Sequence, residues 1–456
     1  MVLVGCGRSQ LDLPGGDDTA GSNGAAGGGG TAGTNGAAGM STGGGGAAGA
    51  RPDTFRASVA AGTTFSCANL SAGLYCWGDV PQGTFSVTNI VLSQDAWKAS
   101  LISKQLYDQI AAAQTSACTI EAGQVTCGGD NTLGQDAVPP TAAACTALAC
   151  DASQNIPELA GAVQVAVSGA HGCAVMGDGT VRCWGSNDWG QLGHTPGAAG
   201  DADCLSATTP VNNCSQHPAA IDGLSGAVEV AVGADASGEH GVSCARFADG
   251  GVQCWGDNTT GAVFGWNGGA QTPDGDPHPA PTPISLPGAA TRLVAGGLSV
   301  CAIVDAKVIC WGDDGAGQGS PMTGVNIHTP QGGDALLDHV TALAKGLLHT
   351  CAVSSGQVFC WGNNTSKQLG RDEDILYDAP CTVAGQPTYC SVSASPVAGL
   401  THVVTLAAGS SHTCALLDDD SVRCWGSNIN QQLGYQLQKF GDLDPRATPV
   451  KVQGLP

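Results

Sequence analysis

The sequence predicts an all-β chain, a seven-bladed β-propeller behind a flexible N-terminal tether. Three observations point there. A cysteine-paired motif recurs seven times, its second cysteines being Cys76, Cys127, Cys183, Cys254, Cys310, Cys360 and Cys424. The steps between them run from 50 to 71 residues. A unit of about 50 residues with insertions suits a four-stranded blade better than a short solenoid repeat. Composition agrees: 70 glycines and 5% aromatic residues fit many short strands with tight turns, not a helical bundle.

The clearest copies are "HGCAVMGDGTVRCWGSNDWGQLG" from His171, "HTCAVSSGQVFCWGNNTSKQLG" from His349 and "HTCALLDDDSVRCWGSNINQQLG" from His412. Weaker copies start at Ser66, Ala117, Ser243 and Val300. Each folds on paper as a hairpin. In "CAVSSGQVFC", Cys351 falls opposite Cys360 and leaves the two-residue turn Ser355-Gly356. In "CAVMGDGTVRC", Cys173 falls opposite Cys183 and leaves Gly177-Asp178-Gly179, a three-residue turn with glycine at the left-handed position. Directly opposed residues lie about 4.5–5.5 Å apart at Cα, within disulfide reach.

The hairpins therefore pair Cys67 with Cys76, Cys118 with Cys127, Cys173 with Cys183, Cys244 with Cys254, Cys301 with Cys310, Cys351 with Cys360, and Cys414 with Cys424. The connecting segments add Cys145 with Cys150, Cys204 with Cys214, and Cys381 with Cys390, leaving Cys6 over. Close-spaced Cys-x-x-Cys knuckles are absent, so the cysteines read as structural disulfides, not metal ligands. Bridges on this scale imply an oxidising compartment.

Net charge is −22, which excludes bulk attraction to nucleic-acid phosphates. No run of 18 apolar residues is present to span a membrane. "LVGC" from Leu3 to Cys6 resembles a bacterial lipobox, and the resemblance implies a diacylated Cys6 as the mature N-terminus. Five residues precede Cys6, without a basic region or a full apolar core, which departs from that pattern. From Gly15 to Ala50 the chain is nearly all Gly, Ala, Ser, Thr and Asn and cannot bury a core. Such a tether spans on the order of 30–35 Å. The expected organisation is a signal remnant over 1–6, a disordered linker over 7–55, and the propeller over 56–456.

Each unit reads as four strands: in the last, "SPVAGL" from Ser395, "VVTLAAG" from Val403, then the disulfide hairpin. This order, with "G..H.CA" and "DG.V.CWG.N..GQLG", resembles the regulator of chromosome condensation repeat family and implies its seven-bladed propeller. The resemblance covers about Arg56 to Pro456 and is strongest in the third, sixth and seventh units. The paired cysteines resemble secreted bacterial members. Bacterial proteins of this fold include the beta-lactamase inhibitory protein II type, which binds a partner protein on one face. Two units depart from the pattern. The second has Gly128 where the others have Trp77, Trp184, Trp255, Trp311, Trp361 and Trp425, and its opening "LISKQLYDQIAA" looks helical. The fourth carries extra "SGEHGV" before Cys244 and closes on "GAVFGW". The C-terminal "ATPVKVQGLP" matches the opening of the seventh unit and is expected to pair with the first unit, which lacks that strand, to close the ring.

The six repeat tryptophans are expected between blades, and His171, His349 and His412, one per blade, read as structural. The Gly-Gln-Leu-Gly closes read as turns, and "GDGT" and "DDDS" as hairpin tips, not calcium loops. No catalytic, cofactor or metal motif is present. Extra residues follow the hairpins at one phase of the repeat, including 136–155, 194–218 and 371–394. They should gather on one face, opposite the hairpin tips. Trp97, Trp189 and Trp266 lie outside the repeat position and are the candidate binding anchors. The expected function is a monomeric, surface-tethered scaffold recognising a protein or envelope ligand, exported and held to the membrane only by its lipid anchor at the outer membrane or cell surface, otherwise periplasmic or extracellular. An exported lyase or hydrolase of the cell envelope, its site assembled from several blades, is the alternative. The family name also invites nucleotide exchange, but an exported, disulfide-bonded, acidic protein would not meet a cytosolic GTPase or chromatin, so that reading falls if the chain is exported.

Overall fold

The computed structural model describes residues 57–80, 98–129, 134–137, 154–198, 200–204, 211–263, 274–319, 327–332, 337–374, 378–383, 386–435 and 443–456. The signal remnant, the whole of the tether, and the Cys145 and Cys150 pair lie outside these residues.

Alternating apolar residues and tight turns produce seven antiparallel sheets, each a blade of four or five strands. The first strands are Ser58–Ala61, Gln109–Ala112, Ala162–Val167, Ala227–Ala234, Ala290–Gly296, Val340–Lys345 and Val403–Ala408. They touch one another in a closed cycle, the last meeting the first, and so form the inner wall. Among the described residues one 3-10 turn, Pro157–Leu159, interrupts the strands.

The core lies between blades. Seven buried apolar clusters occur, one at each junction of neighbouring blades. Six of them hold one repeat tryptophan, and all six tryptophans are at most 2% exposed. The seventh, between blades 1 and 2, is where Gly128 replaces tryptophan, and the fully buried Phe65 takes up space there.

The hairpin registers are as expected: Cys351 faces Cys360, Ser354 faces Gln357, and Cys173 faces Cys183. Ser355 and Gly356 both have positive φ, 49° and 80°, as this two-residue turn requires. All seven hairpin disulfides are formed, with Cα separations of 4.0–4.1 Å. Cys381–Cys390 is the eighth described bridge. Cys214 is also disulfide-bonded, while the side chain of Cys204, its expected partner, lies outside the described side chains.

Two expectations are corrected. The C-terminal strand, Arg446–Lys451, pairs with Val422–Gly426 and completes blade 7; blade 1 has its own four strands, ending in Ser100–Ser103. The blade boundary falls one strand later than the sequence unit suggests, because the strand after an insertion pairs back onto the tryptophan strand just before it. The opening of the second unit is extended, not helical: Ser100–Ser103 ends blade 1 and Gln109–Ala112 starts blade 2. Pairing in two sheets, and the Asn69 amide donating to the Tyr107 carbonyl at 2.7 Å, override its helical propensity.

A candidate binding face

Strand alternation assigns the loops to faces. The first-to-second turns and the third-to-fourth connections leave one end of each blade, and the hairpin tips leave the other. The inserted segments therefore depart from one face, with the central recess. That recess holds about 450 Å³ of empty space, open to solvent. Three residues from each blade line it, mostly glycine and alanine, with Lys345 as the one charged member.

Close approach explains the small residues. A Cβ on Gly62 would lie 2.3 Å from the Ala113 carbonyl, one on Gly296 2.4 Å from Gly346, one on Gly346 2.4 Å from Gly409, and one on Gly409 2.1 Å from Gly62. Backbone meets backbone around the ring, and only a missing side chain permits it.

The repeat motif works as a latch between blades. The indole N–H of Trp184 donates to the Gln135 carbonyl, Trp255 to Gln191, Trp361 to Gln318 and Trp425 to Gln368, at 2.8–3.1 Å. Trp311 uses Ala262, so the altered close of the fourth unit keeps the bond through its backbone. Gln191, Gln318, Gln368 and Gln432 each brace their own turn, the side-chain oxygen accepting from the N–H two residues back. The close is thus a turn, as expected, and also a receptor for the next blade.

The histidines add a second bond. The His171 Nε2 meets the Ser243 hydroxyl at 2.8 Å, His349 meets Thr413 at 2.8 Å, and His412 meets Ser66 at 2.7 Å. Those hydroxyls donate onward to the glutamine carbonyls, so each imidazole supplies the Nε2–H. Burial lowers the pKa of His171 and of His349 to about 3 and that of His412 to about 4, keeping the rings neutral. The pairing covaries along the chain. Where blade 1 has Phe65 and blade 4 has Val242 at the histidine position, the next blade has Ala117 and Val300. Blade 5 has Ser299, yet blade 6 keeps Thr350; here Lys345 donates to that hydroxyl instead, at 3.1 Å. Burial lowers the Lys345 pKa to about 8, opposed by the nearby Asp313 and Asp314. At the opposite face, Asp178 accepts from the Thr180 N–H and hydroxyl, closing a hairpin tip.

Of the candidate anchors, Trp97 and Trp266 lie outside the described residues. Trp189 is half-buried on the insertion face and stacks on His240, with centroids 4.4 Å apart and planes 27° apart. His240 Nδ1 donates to the buried Asp257. Neither His240 nor Asp257 stood out in the sequence, though His240 belongs to the extra "SGEHGV" of the fourth unit. Two insertions extend their sheets: Ala202–Cys204 adds a fifth strand to blade 3, and Ala379–Val383 adds one to blade 6. Among the described residues, no group of three or more His, Cys, Asp or Glu is placed to hold a metal.

The regulator of chromosome condensation (RCC1) repeat family matches residues 162–191 and 403–432, and again 178–238 and 355–416. RCC1 repeats are thus recognised over residues 162–238 and 355–432 of the chain. The matches fall on the third, sixth and seventh blades and the start of the fourth, and in those three the glycine, histidine, tryptophan and Gln-Leu-Gly close all coincide. No curated protein matches the chain. Among solved structures it is similar to that of Kap60 bound to yeast RCC1 (Prp20), with 19% identity, 83% of each chain covered and a TM-score of 0.64. Prp20p from Saccharomyces cerevisiae, studied for its binding to Gsp1p and histones, shares 18% identity over 86% of each chain, with a TM-score of 0.64. Human WBSCR16 shares 18% identity over 78% of this chain and 84% of its own, with a TM-score of 0.60. At these identities the likeness concerns the propeller fold alone.

Proposed function

We propose that this RCC1-repeat propeller is an exported recognition scaffold that binds a partner protein on its insertion face. The carrying observation is the fifth strand in blades 3 and 6. An insertion free to drift needs no added strand and no bridge. These two are paired into their sheets, and the Cys381–Cys390 disulfide staples one of them. Ordering a loop beforehand lowers the entropy lost on binding. The similar yeast propellers, seen with Kap60 or studied with Gsp1p and histones, supply precedent for protein partners.

Eight described disulfides support folding in an oxidising compartment. Attachment through a lipidated Cys6, with 7–55 as the spacer, is the proposed route to a membrane surface. No described helix is long and apolar enough to cross one.

The test uses residues 51–456 as bait for cell-envelope extracts, with the segment 194–218 intact or replaced by a short Gly-Ser link. A captured protein should bind directly when purified and lose most of its affinity for the replaced form. Equal affinity for both forms would move the site off the blade 3 insertion and overturn this reading.

A further inference from the structure

The loop found only in blade 4 among the described turns has no part in the latch. In blade 7, Ser410 and Ser411 alone separate Gly409 from His412, which bond across the turn. In blade 4 the equivalent Gly233 and Val242 enclose Ala234 to Gly241. This longer loop is braced. The Asp235 N–H donates to the His240 carbonyl at 3.1 Å. Ser237 Oγ donates to the Asp235 carboxylate at 2.8 Å, and Gln114 of blade 2 donates to the Asp235 carbonyl at 3.0 Å. Its product is the placement of His240.

His240 is held on two sides. The ring stacks on Trp189, whose backbone N–H is fixed by Gln191 at 2.9 Å. Nδ1 meets the carboxylate of Asp257, which is 0% exposed and accepts from the Thr259 N–H and hydroxyl at 2.6 Å through its other oxygen. A carboxylate only accepts, so Nδ1 carries the proton. In the neutral ring Nε2 is then a bare acceptor. No described residue hydrogen-bonds to it, and the side chain is 30% exposed. Asp188, Asp235 and Glu239 flank the pair on the same two loops, in a chain of net charge −22.

An oriented acceptor, an aromatic stack and a negative surround ask for a cationic donor that is flat. Guanidinium meets all three demands; ammonium lacks the planar face. We infer that the seam of blades 3 and 4, at Trp189 and His240, is the docking point for an arginine side chain of the partner protein. This rests on the recognition reading above and names the chemistry of its partner.

The probe is the peptide acetyl-Gly-Arg-Gly-Arg-Gly-amide, titrated into the full chain by calorimetry while the His240 imidazole nitrogens are followed by NMR. The citrulline peptide, flat but uncharged, is the comparison. Saturable binding should shift Nε2, and citrulline should bind more weakly. W189A and H240N should each weaken binding at least about tenfold. Asp178→Asn with Asp419→Asn, on the opposite face, should leave it unchanged. Equal affinity in wild type, W189A and H240N would reduce the effect to bulk charge attraction and overturn the inference. So would an unmoved Nε2 or the lack of a saturable site. If the chain captures a partner through 194–218 but ignores the arginine peptide, the recognition reading stands and this one falls.

Discussion

The indole N–H of Trp77, in blade 1, donates to the carbonyl of Gln432, in blade 7, at 2.9 Å. The two residues are 355 positions apart. The bond is the same one that joins the other tryptophan-bearing blades to their predecessors, so the ends of the chain meet by the rule of the repeat. Trp77→Ala should cost about 3–5 kcal/mol, the usual range for truncating a buried tryptophan. Trp77→Phe should cost less, since it keeps the packing and loses one hydrogen bond. Chemical denaturation of the two variants checks the order.

Deleting Ala447–Pro456 should lower the melting temperature of the whole domain. It removes most of the fourth strand of blade 7. It also removes Val452, which packs with Trp77 and Ala99, and Gln453, whose carbonyl accepts from the Ala99 N–H at 2.9 Å. Calorimetry of the truncated chain decides it; an unchanged melting temperature contradicts this account of the seam.

Acid should destabilise the ring through its buried histidines. Their folded pKa values, about 3 to 4, lie below the ordinary 6.5. The unfolded state binds more protons between those limits, so stability is full above pH 6.5 and falls as pH drops towards 4. The slope is about 1.4 kcal/mol per pH unit for each histidine. His349→Gln should shallow this limb while costing stability at pH 7. Denaturant midpoints between pH 7 and pH 4 supply the comparison.

Lys345 offers a swap. Lys345→Ala should destabilise by about 1–3 kcal/mol by removing the buried donor to Thr350. Adding Ser299→His rebuilds the histidine–threonine pair of other blades and should recover part of the loss. The lysine also sets an alkaline signature. Its folded pKa of about 8 lies below the ordinary 10.5, so the wild type should gain stability as pH rises between those values. The alanine variant should lack that gain. Thermal melts from pH 7 to pH 10.5 test both statements.

Non-reducing peptide mapping should recover each hairpin bridge as its own pair. Removing one, for example Cys351→Ser with Cys360→Ser, should cost about 2–3 kcal/mol, because so short a loop constrains the unfolded chain modestly. A peptide joining Cys76 to another blade would contradict the hairpin registers.

What the sequence determined by itself was local. The period set the number of blades, and the spacing of Cys351 and Cys360 set a hairpin register that needs no other part of the molecule. The places of the six tryptophans between blades follow from the same repetition. The tertiary structure decided what depends on neighbours. Only it assigned Ser395 to blade 6 and the C-terminal strand to blade 7, because strand pairing ignores where a reader cuts the repeat. Only it paired His412 with Ser66, separated by 346 positions, or showed Lys345 in the role a histidine fills elsewhere. Trp189 was legible as a tryptophan outside the repeat position, but its stacking on His240 and the bond of His240 to Asp257 were not, since the members come from two blades and His240 has no counterpart in the other units. Repetition is written along the chain; contacts between blades arise when the ring closes and brings distant positions within bonding distance.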